Sequence, residues 1–178
     1  MGPNQLLAET YDEYIKRLRD LDVAEIASGE FGVIFQHPTM KDVAVKIVKA
    51  DDAYMQYVAF CRKNKGNPWL PEIIDVNEST LDDKRIDIVF MKVLKPATDK
   101  DVVLGFQTLA PGADLKRFSE QTRLSYPEWM QAVRFAKGID ERQLCVFMAK
   151  HFNRLDLYTR NFMMRGTQLV FNDPLSPS

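Results

Sequence analysis

The sequence predicts an α+β fold, β-rich in its N-terminal half and α-rich in its C-terminal half, with the boundary near residues 92–99. Two observations carry this. Between residues 22 and 94 the apolar residues come largely in short runs rich in Val and Ile, broken by Gly, Pro and Asp. Beyond residue 98 they recur at helical spacing behind helix-start signals. A hydrophobic share of 46% over 178 residues is enough to build a core for one domain.

Residues 4–21 place Leu7, Tyr11, Tyr14, Ile15 and Leu18 three and four apart with charged residues between them, an amphipathic surface helix. "DVAEIAS", "GVIFQH" and "DVAVKIVK" follow as a three-stranded meander, turning at Gly29, Gly32 and "HPTMKD". Residues 51–64 return to helical spacing, and "KGNPWLP" ends that helix with Gly66, Pro68 and Pro71. "EIIDVN" and "RIDIVFMKVL" are β-branched strands joined by the polar "ESTLDDK". Ser125 with Glu128, and Pro127 in the first turn, form a capping box ahead of "EWMQAVRFAKG"; Asp140 with Gln143 repeats the signal ahead of "ERQLCVFMAKHF". The chain then runs into "LDLYTRNFMMRGTQLVFNDP", a hairpin turning at "RGTQ".

Composition narrows the partners. Lys+Arg 24 against Asp+Glu 25 leaves a net charge of -1, so no general basic field favours direct nucleic-acid or membrane binding. Cys61 and Cys145 are far apart and lack any ligand spacing, which reads as two reduced cytosolic thiols. With no secretory pattern, no apolar run of membrane length, and Leu6 where myristoylation wants Ser or Thr, a soluble cytoplasmic protein is expected.

Three places could carry chemistry. "IASGEFGVIF" puts Gly29 and Gly32 at a strand junction, where a tight turn can offer backbone N–H groups to a ligand; an ordinary hairpin with glycines at positive φ is the plainer alternative. In "VAVKIV" the alternation sets Ala44 and Lys46 opposite Val43, Val45 and Ile47, so Lys46 flanks that turn, or else snorkels to the surface. Asp156, Asn161 and Asp173 are oxygen donors among apolar neighbours, of the type that holds Mg²⁺ with nucleotide phosphates. Singly, Asn161 could cap a turn, Asp173 before Pro174 could start one, and Asp156 could pair with Arg154 or Arg160.

Taken in chain order, these residues resemble the protein kinase fold. Ala27, Gly29 and Gly32 stand where G-x-G-x-x-G would be, "VAVK" resembles V-A-I-K, "LDLYTRN" resembles H-R-D-L-x-x-x-N, and "NDP" takes the place of D-F-G. Among kinase-like families the chain is most similar to the early serine/threonine protein kinases of T7-like bacteriophages, through "GEFGVIFQHP", "YVAFCRKNKGNPWLPEIIDV" and "DLYTRNFMMRGTQLVFNDPLS". The resemblance implies a single minimal kinase-like domain over 1–178: an N-terminal helix at 1–21, an antiparallel β-sheet N-lobe with one helix at 22–94, and a small, mostly helical C-lobe at 95–178 carrying a β-hairpin metal site. That C-lobe is short for a kinase, so the chain is expected to be either a minimal enzyme or a truncated form of a longer one.

The resemblance also implies roles. ATP and Mg²⁺ would be the cofactors. Ala27, Gly29, Gly32 and Ala44 would surround the nucleotide, Lys46 would hold its phosphates, and Phe90, Met91 and Val93 would line the adenine. Asp156 would take the substrate hydroxyl's proton, and Asn161 and Asp173 would bind Mg²⁺. The substrates would be host proteins in the host cytoplasm, RNA polymerase being one candidate, with host transcription shut-off as the result.

The sequence departs from the kinase pattern at several positions. Ala27 replaces the first glycine, Arg154 and Leu155 replace the His and Arg before the catalytic Asp, Tyr158 follows that Asp by two, and the Gly of D-F-G is lost. Helix 51–64 has no Glu to pair with Lys46; Gln56 or Tyr57 lies nearest the expected place. Two alternatives follow: a weak or inactive kinase-like module that inhibits a host factor by binding, and a small-molecule phosphotransferase resembling the aminoglycoside kinases.

Overall fold

The computed structural model describes residues 10–29, 32–49, 51–81, 84–112 and 126–176. Leu7 and Ser125, and with them the start of the first expected helix and the expected Ser125 cap, lie outside the described residues. The architecture is α+β, with a five-stranded antiparallel sheet, a three-stranded sheet and several helices. The chain divides into two compact units. One holds the described residues up to Asp51 together with Ile73–Val93; the other holds Asp52–Glu72 and the described residues from Leu94 onward.

The first unit begins with helix α1 (Tyr11–Asp20). Thr10 and Glu13 cap it reciprocally, and Arg17 and Arg19 sit in its last turn, where positive charge suits the helix dipole. Its sheet comprises β1 (Glu25–Ser28), β2 (Gly32–Gln36), β3 (Val43–Lys49), β4 (Ile73–Leu81) and β5 (Lys84–Lys92), in the order β1-β2-β3-β5-β4. The apolar stripe of α1 covers one sheet face: Ile15 is buried with Val33, Phe35, Ile47 and Ile86. The Tyr11 hydroxyl donates to the Ile47 carbonyl at 3.2 Å.

"ESTLDDK" is mostly strand rather than a polar connection. Glu78, Ser79, Thr80 and Leu81 pair with Asp87, Ile86, Arg85 and Lys84. Burial of Ile86 and an ion pair of 3.6 Å between Arg85 and Glu78 reward extending the ladder over the low strand propensity of the polar residues.

The second unit contains α2 (Asp52–Lys63), β6 (Lys95–Pro96), α3 (Asp99–Leu109), α4 (Tyr126–Phe135), α5 (Ile139–Lys150), and the hairpin β7 (Phe162–Arg165) and β8 (Gln168–Phe171). Helix α2, placed by sequence order in the β-rich half, thus groups with the C-terminal residues, and the helix of the first unit is α1. Strand β6 pairs Lys95 with Met164 and Pro96 with Met163, making a sheet of order β6-β7-β8. Trp129, Phe106, Phe162 and Phe171 form the buried aromatic centre; the Phe162 and Phe171 rings meet edge-on at 4.9 Å.

Helix α5 starts earlier than the Asp140–Gln143 box predicts. Its N-cap is Gly138, without a side-chain cap, and Asp140 lies in the first turn. The Glu141 carboxylate folds over position 138, where a Cβ would come within 2.0 Å of it, and accepts the Trp69 indole N–H at 3.3 Å. That tertiary bond fixes the helix entry, and glycine is the residue that leaves room. Among the described residues no helix is long and apolar enough to cross a membrane.

Cys61 and Cys145 are both free and buried, and burial pushes each thiol up to about 12, so neither carries thiolate near neutral pH.

Helix α3 rests directly on β8: a Cβ on Gly105 would sit 2.3 Å from Leu169 Cδ2 and 2.6 Å from its Cβ. Gly105→Ala is expected to destabilise the fold by about 1–3 kcal/mol through overpacking. In urea unfolding, Leu169→Ala added to Gly105→Ala should cost less than Leu169→Ala alone; additive effects would refute the close contact.

Candidate active site

The C-terminal hairpin determines where the polar residues stand. Phe162 pairs with Phe171, Met163 with Val170, Met164 with Leu169 and Arg165 with Gln168, and Gly166 takes the turn at φ 63°. Beyond the Phe162–Phe171 pair the strands stay together: the Asn161 carbonyl accepts from the N–H groups of Asn172 at 2.9 Å and Asp173 at 3.2 Å. Further along, the Asp156 N–H donates to the Pro174 carbonyl at 2.8 Å and Ser176 N–H to the Arg154 carbonyl at 2.7 Å. Asp156, Asn161 and Asp173 therefore occupy adjoining backbone positions, and all three are half-buried.

Asn161 links the other two. Its Nδ2 donates to the Asp156 carbonyl at 2.6 Å, which commits the amide nitrogen and leaves Oδ1 as the acceptor. A 3₁₀ turn, Thr159–Asn161, carries it, closed by Asn161 N–H to the Tyr158 carbonyl at 2.8 Å and held by the Thr159 hydroxyl donating to Asp99 at the start of α3. The Asp156 carboxylate meets Arg160 at 3.5 Å; with the arginine side chain 70% exposed, that pair is a weak, solvent-screened tether. The Arg160 guanidinium also lies 4.6 Å above the Tyr158 ring.

Two residues from the 52–72 stretch clamp the peptide that precedes this cluster. The Tyr57 hydroxyl donates to the Phe171 carbonyl, and the Phe171 N–H donates to the Trp69 carbonyl at 2.9 Å. Tyr57 is 1% exposed. Burial, then Cys61, Tyr54 and Asp173, raises its phenol well above the usual value, so the hydroxyl remains a donor at any ordinary pH. Tyr57 is thus the strand's anchor, a role its position nearest the missing glutamate did not suggest; the legible signal was its apolar spacing with Tyr54, Val58 and Cys61.

In the first unit, register places the remaining candidates. Ala27, Ile34, Lys46 and Val89 form one cross-strand row, and Gln36, Ala44 and Met91 the next row on the same face. Ala44, Lys46 and Met91 are buried, while Ala27 and Gly29 are exposed. Phe90 pairs with Val45 on the opposite face, its ring 6.3 Å from that of His37, and Val93 follows the strand, its N–H donating to the Asp42 carbonyl at 2.9 Å. Gly29 N–H donates to the Gly32 carbonyl at 2.9 Å. Neither glycine has positive φ; Gly32 is required because a Cβ would meet the Ile47 carbonyl oxygen at 2.6 Å.

Chemically, Asp156 can orient or accept a proton from a hydroxyl, and Asn161 Oδ1 with the Asp173 carboxylate can hold a hard cation. Among the described residues no group of three or more His, Cys, Asp or Glu is placed to hold a metal. A cation here would rest on one carboxylate, one amide and oxygens from outside the protein, which is how Mg²⁺ is shared with phosphates. Compared with known proteins, the chain matches no family model and no curated protein sequence.

Two measurements follow from this geometry. Tyr57→Phe leaves the Phe171 carbonyl buried and unpaired toward α2, so urea unfolding should show a loss of about 1–3 kcal/mol; an unchanged midpoint would mean the bond does not hold the strand. His151 has its imidazole held below the usual value by burial, then by Arg154 and Lys150. The unfolded chain therefore binds that proton first as pH falls from about 6.5, and stability should drop progressively below that point. His151→Gln should flatten this acid limb; an unaltered limb would assign it to other groups.

Proposed function

We propose that the chain is an ATP- and Mg²⁺-dependent protein serine/threonine kinase of the phage type, acting on host proteins in the host cytoplasm and contributing to transcription shut-off, with RNA polymerase among its candidate substrates. One observation supports this best: Asp156, Asn161 and Asp173, spread over 18 residues of sequence, adjoin through Asn161, whose side chain bonds the Asp156 carbonyl and whose own carbonyl takes the Asp173 N–H. The kinase-like order of motifs adds Lys46 and the Gly29–Gly32 turn.

In this reading Asp156 orients the substrate hydroxyl and accepts its proton, while Asn161 Oδ1 and the Asp173 carboxylate would hold Mg²⁺. When bound, the cation neutralises charge on the transferred phosphoryl group. Lys46 holds phosphate oxygens, and the kinase resemblance sets the glycine turn over them. Ala44 and Met91, neighbours on the Lys46 face, offer an apolar surface suited to a base. The protein contributes position and charge complementarity, since phosphoryl transfer needs little covalent chemistry from the enzyme.

A second reading, inhibition of a host factor by binding alone, draws on α2. Gln56 is exposed and the Tyr57 hydroxyl is taken by Phe171, so neither residue nearest the usual glutamate position is an acid.

Asp156→Asn should lower phosphorylation of host-lysate proteins by about 10²- to 10⁴-fold with radiolabelled ATP while nucleotide binding stays close to wild type. Equal labelling by wild type and Asp156→Asn would refute the enzyme. Host inhibition retained by a Lys46→Ala/Asp173→Ala double variant would favour the binding module. Asn161→Ala and Asp173→Ala should each weaken the Mg²⁺ dependence of nucleotide binding, and an unchanged dependence would remove both from the metal site.

A further inference from the structure

The segment that carries Asp156 also carries cations. Leu155 is extended at φ -72° and ψ 129°, buried, and bridged to Leu175. Alternate residues of extended chain share a side, so Arg154 and Asp156 both project away from the surface that buries Leu155, about 7 Å apart along the backbone. Arg160 returns to the same carboxylate at 3.5 Å, its side chain 70% exposed and its guanidinium over the exposed Tyr158 ring. Lys150 is exposed as well, and it and Arg154 lie close enough to His151 that, after burial, they depress its imidazole. Lys150, Arg154 and Arg160 thus stand against Asp156 alone, in a chain whose net charge is -1.

Arg154 differs from the other two. It is half-buried, its Nε is sealed from solvent, and that N–H has no hydrogen-bond partner. An arginine stays charged at every ordinary pH, and a buried donor left without an acceptor is costly. Asp156, the nearest acid in sequence, meets Arg160 instead, and Asp99 accepts from the Thr159 hydroxyl. Nor is the side chain needed to hold the C-terminal segment. The Arg154 carbonyl does that, accepting from the Ser176 N–H at 2.7 Å and the Ser176 Oγ at 3.2 Å. The Nε–H is therefore a donor whose acceptor the described residues do not supply, on a planar fork whose geometry matches a carboxylate.

We propose that Arg154 and Arg160 read a carboxylate on the protein substrate, so that the enzyme selects serine or threonine with glutamate or aspartate within about three residues of it. The inference rests on the kinase reading for the role of Asp156, whereas recognition of an acidic peptide rests on the arginines. With the substrate hydroxyl over Asp156, each further residue of an extended peptide lies about 3.3 Å along, which brings its neighbours within the span of an arginine side chain at position 154. An acidic neighbour also competes with Asp156 for Arg160 and so frees the catalytic carboxylate to meet the hydroxyl. Charge complementarity of this kind fixes register and rejects the wrong partner.

The test uses the full chain and short serine peptides carrying Glu, Gln or Lys at one place before or after the serine. Two readouts are taken: phosphorylation with radiolabelled ATP, and fluorescence anisotropy of labelled peptide without nucleotide. Wild type should favour Glu over Gln peptides about tenfold in kcat/KM and in binding at low salt, with the ratio shrinking as salt rises. Arg154→Gln should bring the ratio close to one. Arg154→Glu should turn the preference toward Lys peptides, a reversal that structural damage does not produce. Equal treatment of Glu and Gln peptides by wild type overturns the proposal, as does a preference that survives Arg154→Gln combined with Arg160→Gln. Lost nucleotide binding in Arg154→Gln with the peptide preference intact also overturns it, and assigns the guanidinium to ATP phosphate. If no peptide is phosphorylated while Arg154-dependent binding of Glu peptides persists, the kinase reading fails and acid recognition stands. Should Arg154→Gln fail to fold, Arg154→Lys, which keeps the charge and loses the fork, must lower the Glu preference severalfold, and an unchanged preference counts against the proposal.

Discussion

The polar cluster of the second unit depends on one clamped peptide. Phe171 has its ring among Phe106 and Phe162, its N–H on the Trp69 carbonyl and its carbonyl on the Tyr57 hydroxyl. In a water-excluded setting each of those bonds is expensive to break, because no solvent replaces the lost partner. The strand end is therefore fixed in translation by its peptide and in rotation by its ring. Asn172 and Asp173 follow directly, and Asn161 has no freedom to drift once its carbonyl holds both of their N–H groups.

That arrangement separates support from chemistry. Tyr57 and Trp69 fix the strand through the Phe171 backbone, whereas Asp156, Asn161 and Asp173 are half-buried on the chain that this strand positions. Asn161 does both: its nitrogen braces the loop at Asp156 and its oxygen remains an acceptor. A site meant to position charged oxygens benefits from such division, since rigidity comes from bonds that the reaction never disturbs.

The first unit solves a different problem. An amphipathic helix covers one sheet face with Ile15, Val33, Phe35, Ile47 and Ile86, and the face behind it places Lys46 and Asp87 among aliphatic side chains. Charges are seldom kept in such surroundings for stability, because well-packed apolar residues serve as well or better. Their retention on adjacent strands is the kind of local exception to core packing that functional sites show.

Local pattern sufficed for much of the fold. The alternation in "VAVKIV" sorted Lys46 from Val45 and Ile47, the glycine-punctuated runs marked β1 to β3, and the order of Lys46, Asp156, Asn161 and Asp173 selected the candidate residues. These were legible because strand and helix periods are properties of neighbouring residues. What the sequence did not determine were features created by residues far apart: the entry of α5 at Gly138, set by Trp69 and Glu141; the two-residue strand β6, which exists through its pairing with β7; and the grouping of α2 with the C-terminal residues. The anchor at Tyr57 and the buried half-satisfied Asp87 belong to the same class. Each depends on which surface a side chain meets after the chain has closed on itself, and a spacing rule carries no information about that surface.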